Sequence, residues 1–417
     1  MPSSFFYILA TLLLSLNFIR PLGLAISDWL YFGALFSAFF GTLISKKNLF
    51  STWVPRNIFF WPALLITVGA VISLANSRNI PVAIVELFQQ LYVITVFISL
   101  TWIMVKRGYI EKIVTFFIIS GVITSFIADI DYFIGTNFGP ILSGTPQIQL
   151  WGRFAGTLGH PNKLGYFLVL TIILTFYKLI IVKRNKKHFG LILIILIALL
   201  AQGLGIYLSG SITAYLGAFF GLVCLLYIIV PIRYRKVLAF LGVLLVIAVI
   251  LVNMIWINSV YQPQVGIPDS SLIGIGINRV LNTTAGERIY YYKFAINSIA
   301  QSPIIGAGFD QLSTSGISQD ERLLSGSIHN PFLQIWYAGG FIAFLGWLLL
   351  HIYIGRIAVV NLFLQNLSQN VLIKFLSAAV IAIIIMDQFQ DSIYLREKWL
   401  IIGLLVSWTR MDKRLTK

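Results

Sequence analysis

The sequence contains little charge and almost no cysteine. Charged residues make up 11% of its 417 residues, and Cys224 is the one cysteine. A lone cysteine inside a hydrophobic segment excludes a disulfide framework and a cysteine metal site. The low charge content, combined with 58% hydrophobic residues, excludes an ordinary soluble domain. The composition predicts instead an all-α, polytopic integral membrane protein.

Hydrophobic windows long enough to cross a hydrocarbon core of roughly 30 Å recur along the chain. We therefore expect about twelve transmembrane helices. They divide the chain into N-terminal helices (1–128), a central region (129–354), and C-terminal helices with a tail (355–417). The windows lie at residues 4–19, 28–45, 58–75, 80–105, 110–128, 164–182, 189–208, 212–232, 237–257, 331–354, 371–389 and 398–409.

Acidic residues are scarce, with 14 Asp and Glu against 30 Lys and Arg and a net charge of +16. In a soluble protein this excess would suggest nucleic acid, but here the basic residues cluster between the spans and predict no such partner. The clusters fall on one side of the membrane if the N-terminus is cytoplasmic, so we expect both termini in the cytoplasm. They lie at Lys46/Lys47/Arg56, Lys106/Arg107/Lys112, Lys183/Arg184/Lys186/Lys187, Arg233/Arg235/Lys236 and Arg410/Lys413/Arg414/Lys417.

This topology leaves two long loops on the outer side, at about 129–163 and 258–330. The second is far longer than a typical connection, which indicates a functional loop with structure of its own. It ends at His329, where Asn330 is a good helix N-cap and Pro331 suits the first helical position. His329 should therefore stand at the mouth of a membrane helix, whose dipole favours a neutral imidazole able to accept a proton.

The same loop contains a predicted amphipathic helix. The sequence Thr284-Ala285-Gly286-Glu287 is a capping box, and Ser302-Pro303 predicts the end of the helix. Apolar residues recur between them at helical spacing, so the helix should lie on the membrane face with Arg288 in its first or second turn. An arginine presents a planar fork of donors to phosphate oxygens and stays protonated, which suits holding a pyrophosphate without a metal.

Two further polar segments lie on the predicted outer side. In WGRFAGTLGHPNKLG, His160 again stands at the mouth of a span, next to Asn162 and seven residues after Arg153. The other segment is a tight turn that contains Ser209, Gly210 and Ser211. We expect these two segments and the region around His329 to line one pocket.

These motifs together resemble the O-antigen ligase and polymerase superfamily. They are GRFAGTLGHPNKLG, the Ser-Gly-Ser turn, the run from Arg288 to Gly308, and His329-Asn330 followed by Gly340, and the resemblance covers about 150–345. It implies a membrane-embedded, GT-C-like glycosyltransferase that needs no metal or other cofactor. The implied donor is a polyprenyl-diphosphate-linked glycan, used at the outer face of the bacterial cytoplasmic membrane. The acceptor would be a sugar of the lipid A core for a ligase, another lipid-linked repeat unit for a polymerase, or a protein hydroxyl for related enzymes.

The resemblance also implies residue roles. It makes His329 the catalytic group that orients or deprotonates the acceptor hydroxyl, and Arg288 a diphosphate ligand. Two positions depart from the family pattern: Ile212 stands where an arginine is usual, and Ala343 replaces a second glycine, a change expected to alter only helix packing. The candidates for substrate binding are Arg153, His160, Asn162, Ser211, Arg279 and Asn330, of which Arg153 or Arg279 would supply the missing arginine.

Other interpretations remain open. About twelve spans with both ends inside is also a common transporter layout, and the chain could be a non-catalytic component of a polysaccharide export system. His329 could merely cap a helix end, and Arg288 could pair with a lipid phosphate. Glu86 is a buried-charge candidate near the start of a span. A charged turn that faces outward and is structural rather than catalytic is predicted between the last two spans, with Asp387, Asp391, Arg396 and Glu397.

Overall fold

The computed structural model describes residues 2–16, 25–44, 59–143, 153–184, 189–230, 233–234, 291–312, 328–364 and 371–415. Within these ranges the regular structure is helical. The main helices are α1 (Pro2–Leu12), α2 (Ile26–Ile44), α3 (Phe60–Ser73), α4 (Ile80–Lys106), α5 (Ile110–Ile134), α6 (Phe138–Ser143), α7 (Pro161–Arg184), α8 (Phe189–Ser209), α9 (Ile212–Ile229), α10 (291–301), α11 (Pro331–Val359), α12 (Val371–Met386) and α13 (Arg396–Leu415).

The all-α, polytopic prediction is confirmed. Among the described residues, seven helices are long and apolar enough to cross a membrane, namely α2, α4, α5, α7, α8, α9 and α11. The helices α1, α3 and α12 are apolar but shorter. Each predicted window coincides with a helix, except for 237–257, which lies outside the described residues.

The core of the bundle surrounds α12. This helix is apolar on all sides, a pattern typical of a helix that is buried all round. It packs against α7, α9, α11 and α13. Side chains from Leu372 to Met386 are accordingly buried in an almost unbroken run. Because α12 lies at the centre of the bundle, the residues that follow Met386 also lie near its centre rather than at its rim.

Small residues allow α3 and α11 to approach closely. A Cβ added to Gly69 on α3 would lie 2.7 Å from the Cβ of Ala343 on α11, and one added to Gly346 would lie 2.7 Å from the carbonyl oxygen of Pro62. Close backbone contact through small residues is a usual way for membrane helices to pack. The alanine at 343 is therefore accommodated by a glycine on the facing helix.

The helix α11 breaks at Gly340, whose backbone has φ 69° and ψ −173°. A short segment at 302–308, the clamp segment, lies against this break. A Cβ on Gly340 would come within 2.0 Å of the carbonyl oxygen of Ile304, and a Cβ on Gly306 would come within 2.5 Å of the Gly340 nitrogen. Only glycine permits this approach together with a positive φ.

Backbone hydrogen bonds join the clamp segment to α11 and replace those that the break removes. As a result, α10, which runs directly into the clamp segment, is fixed beside the first turns of α11. The bonds run from Ala307 N to Tyr337 O at 2.7 Å, from Gly308 N to Ala338 O at 3.1 Å, and from Phe341 N to Pro303 O at 3.0 Å.

Candidate functional site

The predicted site residues that the structure describes lie at one end of the bundle. At this end, called the site end below, α7, α9 and α11 begin and α12 ends. Arg279 and Arg288 lie outside the described residues, so their roles remain predictions. The remaining candidates form two groups, one around His329 and one around Arg153.

His329 has an unusual backbone. Its φ is 53°, and within the described part of the chain it is the one residue other than glycine with a positive φ. The left-handed region is uncommon for non-glycine residues, and such strain is concentrated at functional sites. The imidazole is half-buried and meets the ring of Tyr291 edge-on, with centroids 6.2 Å apart and an interplanar angle of 75°.

Asn330 caps α11, as the sequence predicts, and Pro331 occupies the first helical position. The Oδ1 atom of Asn330 accepts hydrogen bonds from the backbone N–H groups of Phe332 and Leu333 at 3.0 and 3.1 Å. Its Nδ2 atom donates to the carbonyl oxygen of Gln388 at 3.3 Å. The side chain of Asn330 is therefore engaged at both ends in holding the residue that follows His329.

Arg153 lies directly on the Ser209–Ser211 turn. Its Nε atom donates to the carbonyl oxygen of Ser209 at 2.8 Å, and its Nη2 atom donates to Oδ1 of Asn162. The side chain passes so close to Gly210 that a Cβ there would lie 3.1 Å from Arg153 Cγ. The guanidinium is thereby held between the start of α7 and the turn that precedes α9.

His160 belongs to the same group and is held neutral. The backbone N–H of Asn162 donates to its Nδ1 atom at 3.1 Å, so Nε2 carries the proton of the neutral ring. Burial, and then the positive charges of Lys163 and Arg153, lower the pKa of His160 from 6.5 to about 4. This histidine is therefore uncharged throughout the neutral pH range.

Ser211 is buried and serves as the N-cap of α9. Its Oγ atom accepts from the backbone N–H of Ala214 at 3.4 Å. This bond accounts for a serine at this position without reference to substrate. The described hydrogen bonds of Ser211 are structural, and its contact with substrate remains a prediction.

The residues that directly follow α12 connect the two groups. This bridging turn (387–389) presents the carbonyl oxygen of Gln388, which accepts from Tyr292 OH at 2.8 Å as well as from Asn330. The next carbonyl, that of Phe389, accepts from the Oγ1 atom of Thr213 in the first turn of α9 at 3.3 Å. The mouths of α9 and α11 are thus fixed to one short piece of chain.

The charged turn between the last two spans is buried in part, which corrects its predicted outward orientation. Asp387 and Glu397 are buried, and Arg396 donates two hydrogen bonds to the buried carboxylate of Asp28. The turn lies over α12, so the carboxylate of Asp387 points into the bundle, where it pairs with Lys398. Glu86, the buried-charge candidate, accepts from Tyr394 OH at 2.5 Å.

Sequence reasoning did not assign Asp387 to the site, although its carboxylate accepts several hydrogen bonds there. It accepts from Lys398 Nζ at 2.5 Å, from Ser392 Oγ at 2.6 Å and from Tyr166 OH at 3.0 Å, and His351 Nε2 lies 3.4 Å away. The available signal was an acidic and a basic residue on either side of a short turn between two apolar helices. This pattern does not indicate whether either side chain points into the bundle or away from it.

These features define a helical membrane protein whose polar site lies where three of its helices begin. Residues 197–348 match the family model described as O-antigen ligase. The match confirms the resemblance to the O-antigen ligase and polymerase superfamily over these residues. No curated protein and no solved structure matches the chain. The matched region contains the Ser211 and His329 segments, whereas the Arg153 group begins upstream of it.

Proposed function

We propose that this protein transfers or polymerises a polyprenyl-diphosphate-linked oligosaccharide at the outer face of the bacterial cytoplasmic membrane. The family match supports the coarser class, a membrane glycosyltransferase of the ligase or polymerase type. The observation that carries the residue assignment is the left-handed backbone of His329 at the mouth of α11. A strained, half-buried histidine beside a capped helix is suited to a role that needs a fixed imidazole.

In this proposal His329 is the general base for the acceptor hydroxyl. The hydroxyl oxygen attacks the anomeric carbon, its proton passes to the imidazole, and the bond from that carbon to the diphosphate oxygen breaks. Attack from the face opposite the leaving group inverts the anomeric centre. The diphosphate is already a good leaving group, so stabilising its developing negative charge is the main help that the protein gives.

Arginines supply that stabilisation in the proposal. Arg288 precedes α10 by three residues in the sequence and is the first candidate for a diphosphate ligand. Arg153 is the second, because its guanidinium lies on the turn next to Ile212, where the family usually has an arginine. The position of Arg153 favours it as the replacement, while Arg279 remains the alternative.

Two substitutions of His329 test the base assignment. His329→Asn keeps a residue that tolerates the left-handed region, and His329→Gly removes the strain altogether, while both remove the imidazole. We expect His329→Asn to melt like the wild type and His329→Gly to melt at the same or a higher temperature, while both lose at least about a hundredfold in transfer rate. The assay uses proteoliposomes supplied with the lipid-linked glycan extracted from a deletion strain. Full transfer by His329→Asn would show that the imidazole is not the base.

Surface glycans of the deletion strain decide between ligase and polymerase. If the protein is a ligase, polymer should be lost from its lipid anchor while polymerised lipid-linked chains remain. If it is a polymerase, single repeat units should be left on the anchor. Gel electrophoresis of the extracted glycans separates the two patterns.

Transport is a second candidate, because the bundle buries the ionisable side chains of Asp387, Lys398 and His351 between its helices. Such residues are typical of substrate and ion pathways in membrane proteins. The same proteoliposomes distinguish the two functions. A transporter would move the lipid-linked glycan to the inner leaflet without forming a glycosidic bond, and His329→Asn would leave that movement unchanged.

A further inference from the structure

The carboxylate of Asp387 lies at the centre of a buried polar network. Lys398 also approaches Ser392 Oγ at 3.3 Å, and its ammonium lies 5.0 Å from the ring centre of Trp347 and 5.5 Å from that of Trp399. Lys398, Asp387 and Ser392 are fully buried. Cation–π contacts on two sides and a carboxylate on a third leave the lysine well defined in position.

The network fixes Asp387 in three dimensions because its partners come from different helices. Tyr166 belongs to α7, His351 to α11 and Lys398 to α13, and each approaches an oxygen of the same carboxylate. A buried ion pair adds little stability compared with apolar residues of the same size, and its best-attested benefit is a specified geometry. The arrangement thus sets the position of the end of α12 relative to three helices.

Gln388, the residue after Asp387, connects this network to the site. The carbonyl of Gln388 accepts from Asn330 and Tyr292. Asn330 directly follows His329 in the sequence. Tyr292 directly follows Tyr291, whose ring contacts the imidazole of His329. A carbonyl oxygen has two lone pairs and can accept both bonds. A rotation of the backbone at Asp387 would therefore turn this carbonyl away from both donors.

We propose that Lys398 is a positioning residue, which acts through Asp387 and the carbonyl of Gln388 to hold Asn330 and His329 in their reactive arrangement. This inference rests on the proposed function, since it assumes that His329 takes part in the reaction. It predicts that the ion pair matters for the rate of transfer more than for the stability of the fold.

The test removes both charges together. Each single variant would bury an unpaired charge and destabilise the protein, whereas Lys398→Met with Asp387→Asn leaves a neutral pair of similar size. We expect the double variant to melt within a few degrees of the wild type. Its kcat in proteoliposomes should fall by at least about tenfold, with the apparent KM for the extracted lipid-linked glycan within about twofold of the wild type.

The matched control is the Lys178–Glu111 pair, whose Nζ and Oε2 atoms are 2.7 Å apart and partly exposed. Lys178→Met with Glu111→Gln should leave kcat unchanged, because this pair has no contact with the bridging turn and exposed pairs contribute little. If the Lys398→Met/Asp387→Asn protein turns over as fast as the wild type, the network only stabilises the fold and the inference is wrong.

A single-atom change tests the same route if the double variant does not accumulate. Asn330→Asp keeps the N-cap, since Asp and Asn cap equally well, but it replaces the Nδ2 donor with an oxygen that faces the Gln388 carbonyl. We expect a stable protein with kcat at least about tenfold lower, and an unchanged kcat would overturn the inference. Full activity in His329→Asn would instead refute the proposed function, so the two failures are distinguishable.

Discussion

Replacing Gly340 by alanine tests whether the clamp segment holds α10 against α11. The new methyl group would lie 2.0 Å from the carbonyl oxygen of Ile304, a distance that real Cβ atoms essentially never show. The neighbouring atom belongs to the backbone, so it cannot rotate away as a flexible side chain would. Either the clamp segment must move outward by more than about 1 Å, or the break in α11 must close.

The cost follows from the bonds that such a movement breaks. An alanine at φ 69° and ψ −173°, a region essentially restricted to glycine, costs about 1–3 kcal/mol. The hydrogen bonds of Ala307 N, Gly308 N and Phe341 N across the break add about 1 kcal/mol each. The strain and the lost bonds together make about 4–6 kcal/mol, which corresponds to an increase of at least roughly a thousandfold in the opening of the clamp segment.

Hydrogen–deuterium exchange in detergent measures that opening directly. The amides of Ala307, Gly308 and Phe341 should lose protection in Gly340→Ala, while those of α12 should not. Transfer activity should fall too, because α10 would no longer be fixed beside the first turns of α11, which His329 precedes. The control is Gly355→Ala in the same helix, where a Cβ would meet Ile384 Cδ1 at an ordinary 3.4 Å. Wild-type exchange at these amides in Gly340→Ala would refute the reasoning.

Two further predictions concern the Arg153 group. Arg153→Ala should raise the apparent KM for the extracted lipid-linked glycan at least about tenfold, because a charge-assisted contact to phosphate is lost. Adding Ile212→Arg should restore much of it, since Ile212 is half-exposed on the same turn; failure of this rescue would favour Arg279. Because the pKa of His160 is lowered on folding, the unfolded chain binds a proton at this histidine between about pH 6.5 and pH 4, whereas the folded protein does not. Stability should therefore fall as the pH drops through this window, and His160→Gln should show a smaller loss of melting temperature between about pH 7.5 and pH 5; equal losses would contradict the prediction.

The helices were predictable because a membrane span is encoded locally. An apolar run of sufficient length identifies a span without knowledge of its neighbours, and a cap such as Asn330 depends on the next three residues only. The same holds for the cap at Ser211. By contrast, the window 371–389 extends three residues past Met386, where α12 ends, although Asp387 and Gln388 already interrupt the apolar run.

The tertiary relations of the site were not predictable from local patterns. The bond from Asn330 to Gln388 joins residues 58 positions apart, and that from Tyr166 to Asp387 joins residues 221 apart. A charged residue beside a span is normally expected to face water or headgroups, so Asp387 and Glu397 were interpreted as a surface turn. Their burial follows from the position of α12 at the centre of the bundle, which a single sequence does not reveal.

The strained backbone of His329 is explained by what surrounds it. A left-handed histidine would relax if its neighbours were free, but the cap at Asn330 fixes the peptide after it and Tyr291 contacts its ring. The carbonyl of Gln388 in turn holds Asn330 and Tyr292, and the buried Asp387–Lys398 pair holds that carbonyl. Strain of this kind persists only where the surroundings over-determine the conformation. The buried ion pair and the left-handed histidine thus belong to one network of contacts, which restrains the backbone on both sides of the bridging turn.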